Sequence, residues 1–418
     1  MDSLTQVILG AAVGEAVLGR KLGNRAMLWG GIAGTLPDLD VLSGLVTDPM
    51  SALAYHRAFT HSLPFAILAG PLIGWTVHRL HADPPDKRRW IHILGGVLAF
   101  WVLLTVGSYA MPIPVYGVPG IAAIVTAVFA GMCAIVGWWS LRVQRSRGRI
   151  HVKSGIHVNP KRRQWILLFF LAIVTHPLLD CFTAYGTQFF EPFAATRLAW
   201  NTVSVVDPLY TLPFLLLLIL AARSGRGTQE RRKLNTAGLV VSSAYLLLTT
   251  VNHFNVRSVL GDTIAAKDIV AQRTLQGPTL GNNLLWTGLA QTGSDTFYVG
   301  EYSLLDERRT FEPMLRIDGR HDLLAPYHGD RELDILRWFS NGIYSVTPVG
   351  GGRVQLNDLR YGLLGDDPDD PTSYLFNWQI DTTVHPVRVM PESEEAQAER
   401  GERMGAFFGE LWDRMLGE

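Results

Sequence analysis

Trp165-Ile166-Leu167-Leu168-Phe169-Phe170-Leu171-Ala172-Ile173-Val174-Thr175-His176-Pro177-Leu178-Leu179-Asp180-Cys181 decides how the rest of the chain is read. The run is apolar for long enough to cross a hydrocarbon core of about 30 Å, which takes roughly 17 to 25 helical residues, yet it closes on an imidazole and a carboxylate. Spaced i, i+4, His176 and Asp180 share a helix face if Pro177 leaves that turn helical, and such a pair can bind one divalent metal. The same length test picks out further stretches at 4–19, 26–42, 62–77, 91–109, 118–141, 208–222 and 234–252, those at 4–19 and 208–222 being short. The sequence therefore predicts a polytopic α-helical membrane domain of about eight spans.

Composition points the same way. Of 418 residues 48% are hydrophobic and only 18% charged, too apolar for an ordinary soluble enzyme and too long for one domain. The 37 basic and 37 acidic residues cancel overall but divide unevenly: 22 basic and 11 acidic up to Asn252, then 15 basic and 26 acidic. A basic apolar half joined to an acidic, turn-rich half predicts a transmembrane domain at 1–252 followed by a water-exposed one. It also excludes a nucleic-acid binder built on global positive charge. Cys133 and Cys181 alone make neither a disulfide framework nor a cysteine metal cluster.

Lys and Arg set the expected orientation, because cytoplasmic loops retain them. One set of alternate loops holds 20 of them, the opposite set only Arg57 and Arg197. This predicts a multi-pass protein of a bacterial inner (plasma) membrane with both termini outside, the C-terminal half lying in the periplasm or extracellular space. That half reads as an extracytoplasmic α+β domain at 253–392. A helical stalk at 256–275 leads to strands at 284–289, 296–304, 343–348, 353–361 and 374–380, with a helix at 331–339. Residues 393–418 read as an amphipathic C-terminal helix carrying Phe407, Phe408, Leu411, Trp412 and Met415.

Polar residues at membrane depth are costly, so their accumulation is informative. Here they gather towards one membrane face. Asp38 and Asp40 follow Pro37, His56 and His61 bracket the next outer loop, and His176 and Asp180 close the sixth span. Several carboxylates with three imidazoles exceed one tetrahedral site and suit a two-metal centre. Arg57 between the two loop histidines suits an anionic group such as phosphate, although its simplest role is to reach the headgroups. Gln6, Asp207 and His253 stand at the same face and are further candidates, each equally readable as an interfacial polar residue. Glu15 lies deeper and is expected to pair with Arg20 or Lys21, and Gly10 with Gly14 reads as a close-packing stripe.

At these residues the sequence resembles the predicted membrane-bound metal-dependent hydrolases typified by the YdjM-like inner-membrane proteins. The matching stretches are Met1-Asp2-Ser3-Leu4-Thr5-Gln6, Leu9-Gly10-Ala11-Ala12, Ala33-Gly34-Thr35-Leu36-Pro37-Asp38-Leu39-Asp40, His56-Arg57-Ala58-Phe59-Thr60-His61-Ser62 and His176-Pro177-Leu178-Leu179-Asp180. The resemblance implies Asp38, Asp40, His56, His61, His176 and Asp180 as metal ligands. Many relatives carry His at the position of Gln6, where the amide is a weaker ligand. The pattern is also similar to that of zinc-dependent phospholipase C and related phosphoesterases, a more distant analogy.

The function expected from all this is a membrane-bound metal-dependent hydrolase with its site at the outer face, acting on a phosphoester or related bond of a lipid or lipid-linked substrate. Asp38, Asp40 and His61 are its expected catalytic residues and Arg57 its substrate contact. The cofactor is a divalent metal, zinc from the imidazoles, with manganese or magnesium suiting a carboxylate-dominated version. The rival is a non-enzymatic, metal-stabilised transporter or membrane scaffold with an outer partner-binding domain. A transporter would more naturally place its site at the bilayer midplane between broken helices.

Overall fold

Asp2 starts the first helix, α1 (Ser3–Leu22), its carboxylate accepting from the Thr5 amide at 3.0 Å and the Thr5 hydroxyl at 2.6 Å. Glycines then bring α1 against α2 (Asn24–Thr35) with almost no side chain between them. A Cβ added at Gly10 would stand 2.4 Å from the Gly30 carbonyl oxygen, and one at Gly34 2.7 Å from that of Gln6. The same device joins α4 (Leu63–Leu80) to α7 (Arg162–Asp180), where a Cβ at Gly70 or Gly74 would meet the Phe170 or Ile166 Cα at 2.7 and 2.6 Å. These contacts belong to a computed structural model that describes residues 1–81, 89–148, 160–365, 367–390, 405, 409 and 411–417. Within them the chain forms two compact units, Met1–Trp200 with Pro208–Leu246, and Asn201–Asp207 with Leu247–Glu418.

The first unit is helical. Besides those four helices it contains α3 (Pro49–Tyr55), α5 (Arg89–Tyr109), α6 (Val118–Gly148), α8 (Pro208–Arg223) and the start of α9 (Gln229–Ala266). Every expected span overlaps a helix, that at 26–42 being divided between α2 and a following 3-10 helix, but fewer meet the length and hydropathy of a crossing. Among the described residues Trp90–Tyr109, Val118–Trp138, Arg162–Asp180 and Gln229–Ala266 do, and Pro49–His61 with Leu63–Leu80, bent by 62°, makes a fifth if counted as one span. The expected spans that miss this test do so for local reasons. Pro37 ends the 12-residue α2 and begins a 3-10 helix, Pro37–Leu45; α1 carries Gln6, Glu15, Arg20 and Lys21; α8 is only 16 residues long. Glu15 pairs with neither Arg20 nor Lys21. Arg231 of α9 holds both its oxygens, at 2.7 and 2.5 Å, in a buried two-pronged pair.

The second unit contains two four-stranded antiparallel meanders. The first is β1 (Arg273–Pro278), β2 (Leu285–Thr292), β3 (Thr296–Ser303) and β4 (Leu315–Asp318); the second is β5 (Tyr344–Gly350), β6 (Arg353–Asp358), β7 (Asn377–Asp381) and β8 (Arg388–Val389). Helix α10 (Arg331–Phe339) comes between them in sequence, and its Leu333, Ile335, Leu336 and Phe339 are buried. Five of these strands and α10 lie where the alternation predicts. The segment expected to be a stalk is instead core: Val256, Val259 and Leu260 at the end of α9 are buried against Trp286, Tyr302 and Phe311 of the first sheet and its following loop. Of the expected amphipathic C-terminal helix, Leu411–Met415 is helical, with Leu411 and Met415 on Leu285 and Arg414 paired to Asp306 at 2.6 Å. Phe407 and Phe408 lie outside the described residues.

Candidate metal centre

Helix α7 continues through Pro177 to Asp180, so His176 and Asp180 do share a face. His61 reaches that face from a short 3-10 turn, Phe59–His61, at the break before α4; Ser62 caps α4 by accepting from the Phe65 amide at 3.1 Å. Asp38 comes from the 3-10 helix that Pro37 starts. The glycine contacts between α1 and α2 and between α4 and α7 are what let these ends approach.

Three residues, Asp38, His61 and His176, form a group that could hold a metal ion, one ligand atom from each lying within 4.8 Å of the others. The two Nε2 atoms are 3.1 Å apart, and Asp38 Oδ1 is 3.2 Å from that of His176 and 3.6 Å from that of His61. The far side of each ring fixes its tautomer. His176 Nδ1 is 2.6 Å from the Gly34 carbonyl oxygen, and His61 Nδ1 is 3.1 Å from Asp40 Oδ2. Both oxygens only accept, so both Nδ1 atoms donate and the two Nε2 atoms are left facing each other, where at most one of them can carry a proton. Two such nitrogens at this distance share a cation between them, a proton or a metal ion. A tetrahedral zinc with Zn–N of about 2.0–2.1 Å separates its ligand nitrogens by about 3.3 Å, close to the observed spacing. The donor set therefore fits a metal.

The other expected ligands stand around this group in distinct ways. Asp180 Oδ2 is 3.5 Å from both Nε2 atoms, within reach as a fourth donor, while its Oδ1 accepts from Gln6 Nε2 at 3.0 Å and the Met1 nitrogen at 2.5 Å. Gln6 thus orients Asp180 and also bonds the His176 carbonyl at 3.2 Å. Asp40 is turned away from the point of convergence. Its oxygens receive the Arg57 amide at 2.7 Å and face Nδ1 of His56 at 2.9 Å as well as Nδ1 of His61. It is the carboxylate behind a candidate ligand imidazole, a partner of the kind that sets ring orientation and raises ligand basicity. His56 sits one step further out, beyond Asp40.

Arg57 is buried, with φ at 58°, and its guanidinium lies 3.4 Å from Asp180 Oδ2, donates to Thr183 Oγ1 at 3.1 Å and covers the Tyr185 ring. It braces the centre from within. Its carbonyl accepts the Gln188 amide at 2.9 Å, tying residues 183–191 to the His56–His61 loop. In that segment Glu191 is fully buried with no hydrogen bond to either carboxylate oxygen among the described residues, and burial pushes its carboxyl up to about 7. Asp207 and His253 belong to the second unit, where His253 is held by the Asn201 carbonyl at 3.1 Å and the Gln276 amide at 2.9 Å.

Some participants carry no signal that spacing could reveal. The Gly34 carbonyl fixes a tautomer without a side chain, and Ser3, which donates to Asp38 Oδ2 at 2.9 Å, is a common residue near a helix start. Among the central groups Asp38 alone has appreciable exposure, 16% of its side chain against 0–1% for His61, His176 and Asp180. Anything that approaches the cluster therefore meets it on the Asp38 side.

Apolar helices with a buried histidine–aspartate cluster define an integral membrane protein with a candidate metal site. The profile of the YdjM inner membrane protein family matches residues 1–113 and 121–256, and the chain belongs to that family. No curated protein and no solved structure matches it.

Proposed function

We propose that the protein is a membrane-bound metal-dependent hydrolase acting on a phosphoester or related bond of a lipid or lipid-linked substrate. The observation that carries the reading is the convergence of His61 Nε2, His176 Nε2 and an Asp38 carboxylate oxygen on one point. Asp38, His61 and His176 would hold a divalent ion, zinc from the imidazoles, with Asp180 in reach; manganese or magnesium would rely more on the carboxylates. The ion would supply Lewis acidity to a bond polarised by charge development. The protein's own groups do the positioning. Asp40 aligns His61, Gly34 aligns His176, and Gln6 with Arg57 fixes Asp180. Asp38, on the open side, is the carboxylate placed to accept a proton from an attacking water. Arg57, committed to Asp180, acts on substrate only through that carboxylate.

The finer topology belongs to this proposal: eight crossings, both termini outside, and the second unit in the periplasm, supported by the 20 to 2 division of Lys and Arg between alternate loops. A transporter is the second reading, favoured by the 62° break beside His61. The full chain reconstituted in vesicles and supplied with phospholipids and lipid phosphates separates the two. The hydrolase reading expects turnover of at least one substrate that a chelator abolishes, that Zn²⁺, Mn²⁺ or Mg²⁺ restores, and that Asp38→Asn loses. Absence of chelator-sensitive turnover, with metal-dependent uptake in its place, would overturn it.

A further inference from the structure

Helices α4, α5 and α6 enclose a second feature, a cavity of about 700 Å³ lined by Ile73 and Val77 of α4, Ile93 and Phe100 of α5, and Phe129 and Cys133 of α6. Its size is that of a pocket for a small molecule or one flexible chain. It lies well away from the candidate metal centre. Ile73 is ten residues beyond the start of α4, about 15 Å along the helix from the break that carries His61. We propose that this cavity holds one acyl chain of an anionic phospholipid from the leaflet at the C-terminal end of α4, as a bound lipid distinct from any substrate.

Three observations select that occupant. The helices that wall the cavity with α4 are the two most apolar candidate spans, Trp90–Tyr109 at a mean hydropathy of 1.9 and Val118–Trp138 at 2.2, and most of either is unburied, as suits helices that face hydrocarbon. Apart from Thr76, Thr126 and the two indoles the lining is apolar, and a chain of methylenes matches it better than water does. Second, Trp90 and Trp138 line the same end of the cavity and are each 60% exposed, as indoles are at the depth of lipid headgroups. Third, α4 carries the cationic Arg79 in its last turn, at that same end. A chain entering between the indoles therefore brings its headgroup to the end of α4 that carries Arg79, which favours an anionic phosphodiester over a zwitterionic one.

The inference does not depend on the hydrolase reading. The full chain is incorporated into nanodiscs of phosphatidylglycerol and phosphatidylethanolamine in equal parts, re-extracted in mild detergent, and its retained lipid measured by mass spectrometry. Phosphatidylglycerol is expected to be retained with a preference of about fivefold or more, the effect of one basic residue near a headgroup. Ala130→Phe, which projects a ring into the cavity, is expected to remove most of it. Should that variant fail to fold, a phosphatidylglycerol with a photoreactive acyl chain tests the wild type, with crosslinks expected on residues 73–77 and 129–133. No retained lipid, equal retention of both headgroups, or crosslinks confined to other helices would overturn the proposal. Loss of the lipid in a folded His176→Ala variant would also overturn it, showing that the occupant is a tail anchored at the metal centre.

Discussion

At the scale of single residues, the histidine tautomers decide the chemistry. Asp40 never touches the point where Nε2 of His61 and His176 meet, yet it holds His61 by Nδ1. Removing such a partner typically costs 10- to 100-fold in metal affinity. Asp40→Ala is therefore expected to weaken metal binding by about that factor without abolishing it, as read by competition with a chromogenic chelator. Loss as complete as that of His61→Ala would make Asp40 a ligand. Glu191 supplies a pH prediction with a definite sign. Its folded carboxyl is raised from 4.5 to about 7 by burial, so its contribution is fully present below 4.5 and is lost as the pH rises through about 7. The melting temperature should fall across that window, and Glu191→Gln should flatten the slope. An unchanged slope would assign the dependence to another group.

At the scale of elements, glycine contacts carry the geometry. Gly30→Val would drive a branched side chain into the Gly10 carbonyl, which a Cβ alone would approach to 2.1 Å. Overpacking of this kind costs about 1–3 kcal/mol, and here it would also separate Gly34 from His176 and Gln6 from Asp180. The expected outcome is a less stable protein with weakened metal binding, against normal binding if α1 and α2 merely touch. The Glu15 and Arg231 pair is a second test. Arg231→Ala leaves a buried carboxylate unpaired and should cost about 3–5 kcal/mol, while the double replacement Glu15→Gln with Arg231→Met should recover much of it; equal losses would mean that the pair does not matter.

Much at this level was legible in the sequence. The i, i+4 spacing of His176 and Asp180, the Gly10 and Gly14 stripe, α10 and five strands could be read from periodicity and turn residues. What could not be read depended on distant partners. Nothing near Glu15 indicates Arg231, 216 positions away. The apolar side of 256–264 suits a stalk and a sheet-packed helix equally, and only Trp286 and Phe311 decide between them. Short edge strands such as Leu315–Asp318 and Arg388–Val389 are too brief to show alternation. The division of the six expected ligands into a central trio, a bordering Asp180 and an outer Asp40 with His56 depends on side-chain direction, which spacing does not encode.

At the scale of the whole molecule, the chain comprises a helical unit and a unit of two β-meanders, with α9 contributing residues to both. The proposed orientation can be checked with single cysteines in a chain lacking Cys133 and Cys181. Ser294→Cys, in the exposed β2–β3 turn, should react with a membrane-impermeant thiol reagent in intact cells, and Gln229→Cys at the start of α9 only after lysis; the reverse pattern would invert the topology. The central claim is that His61, His176 and Asp38 form one metal site, and its most direct test is the metal content of the purified full chain by elemental mass spectrometry. The account predicts stoichiometric divalent metal in the wild type and background levels in His176→Ala of unchanged helical content. Equal metal in the two proteins, or none in either after purification with added Zn²⁺, Mn²⁺ or Mg²⁺, would contradict it.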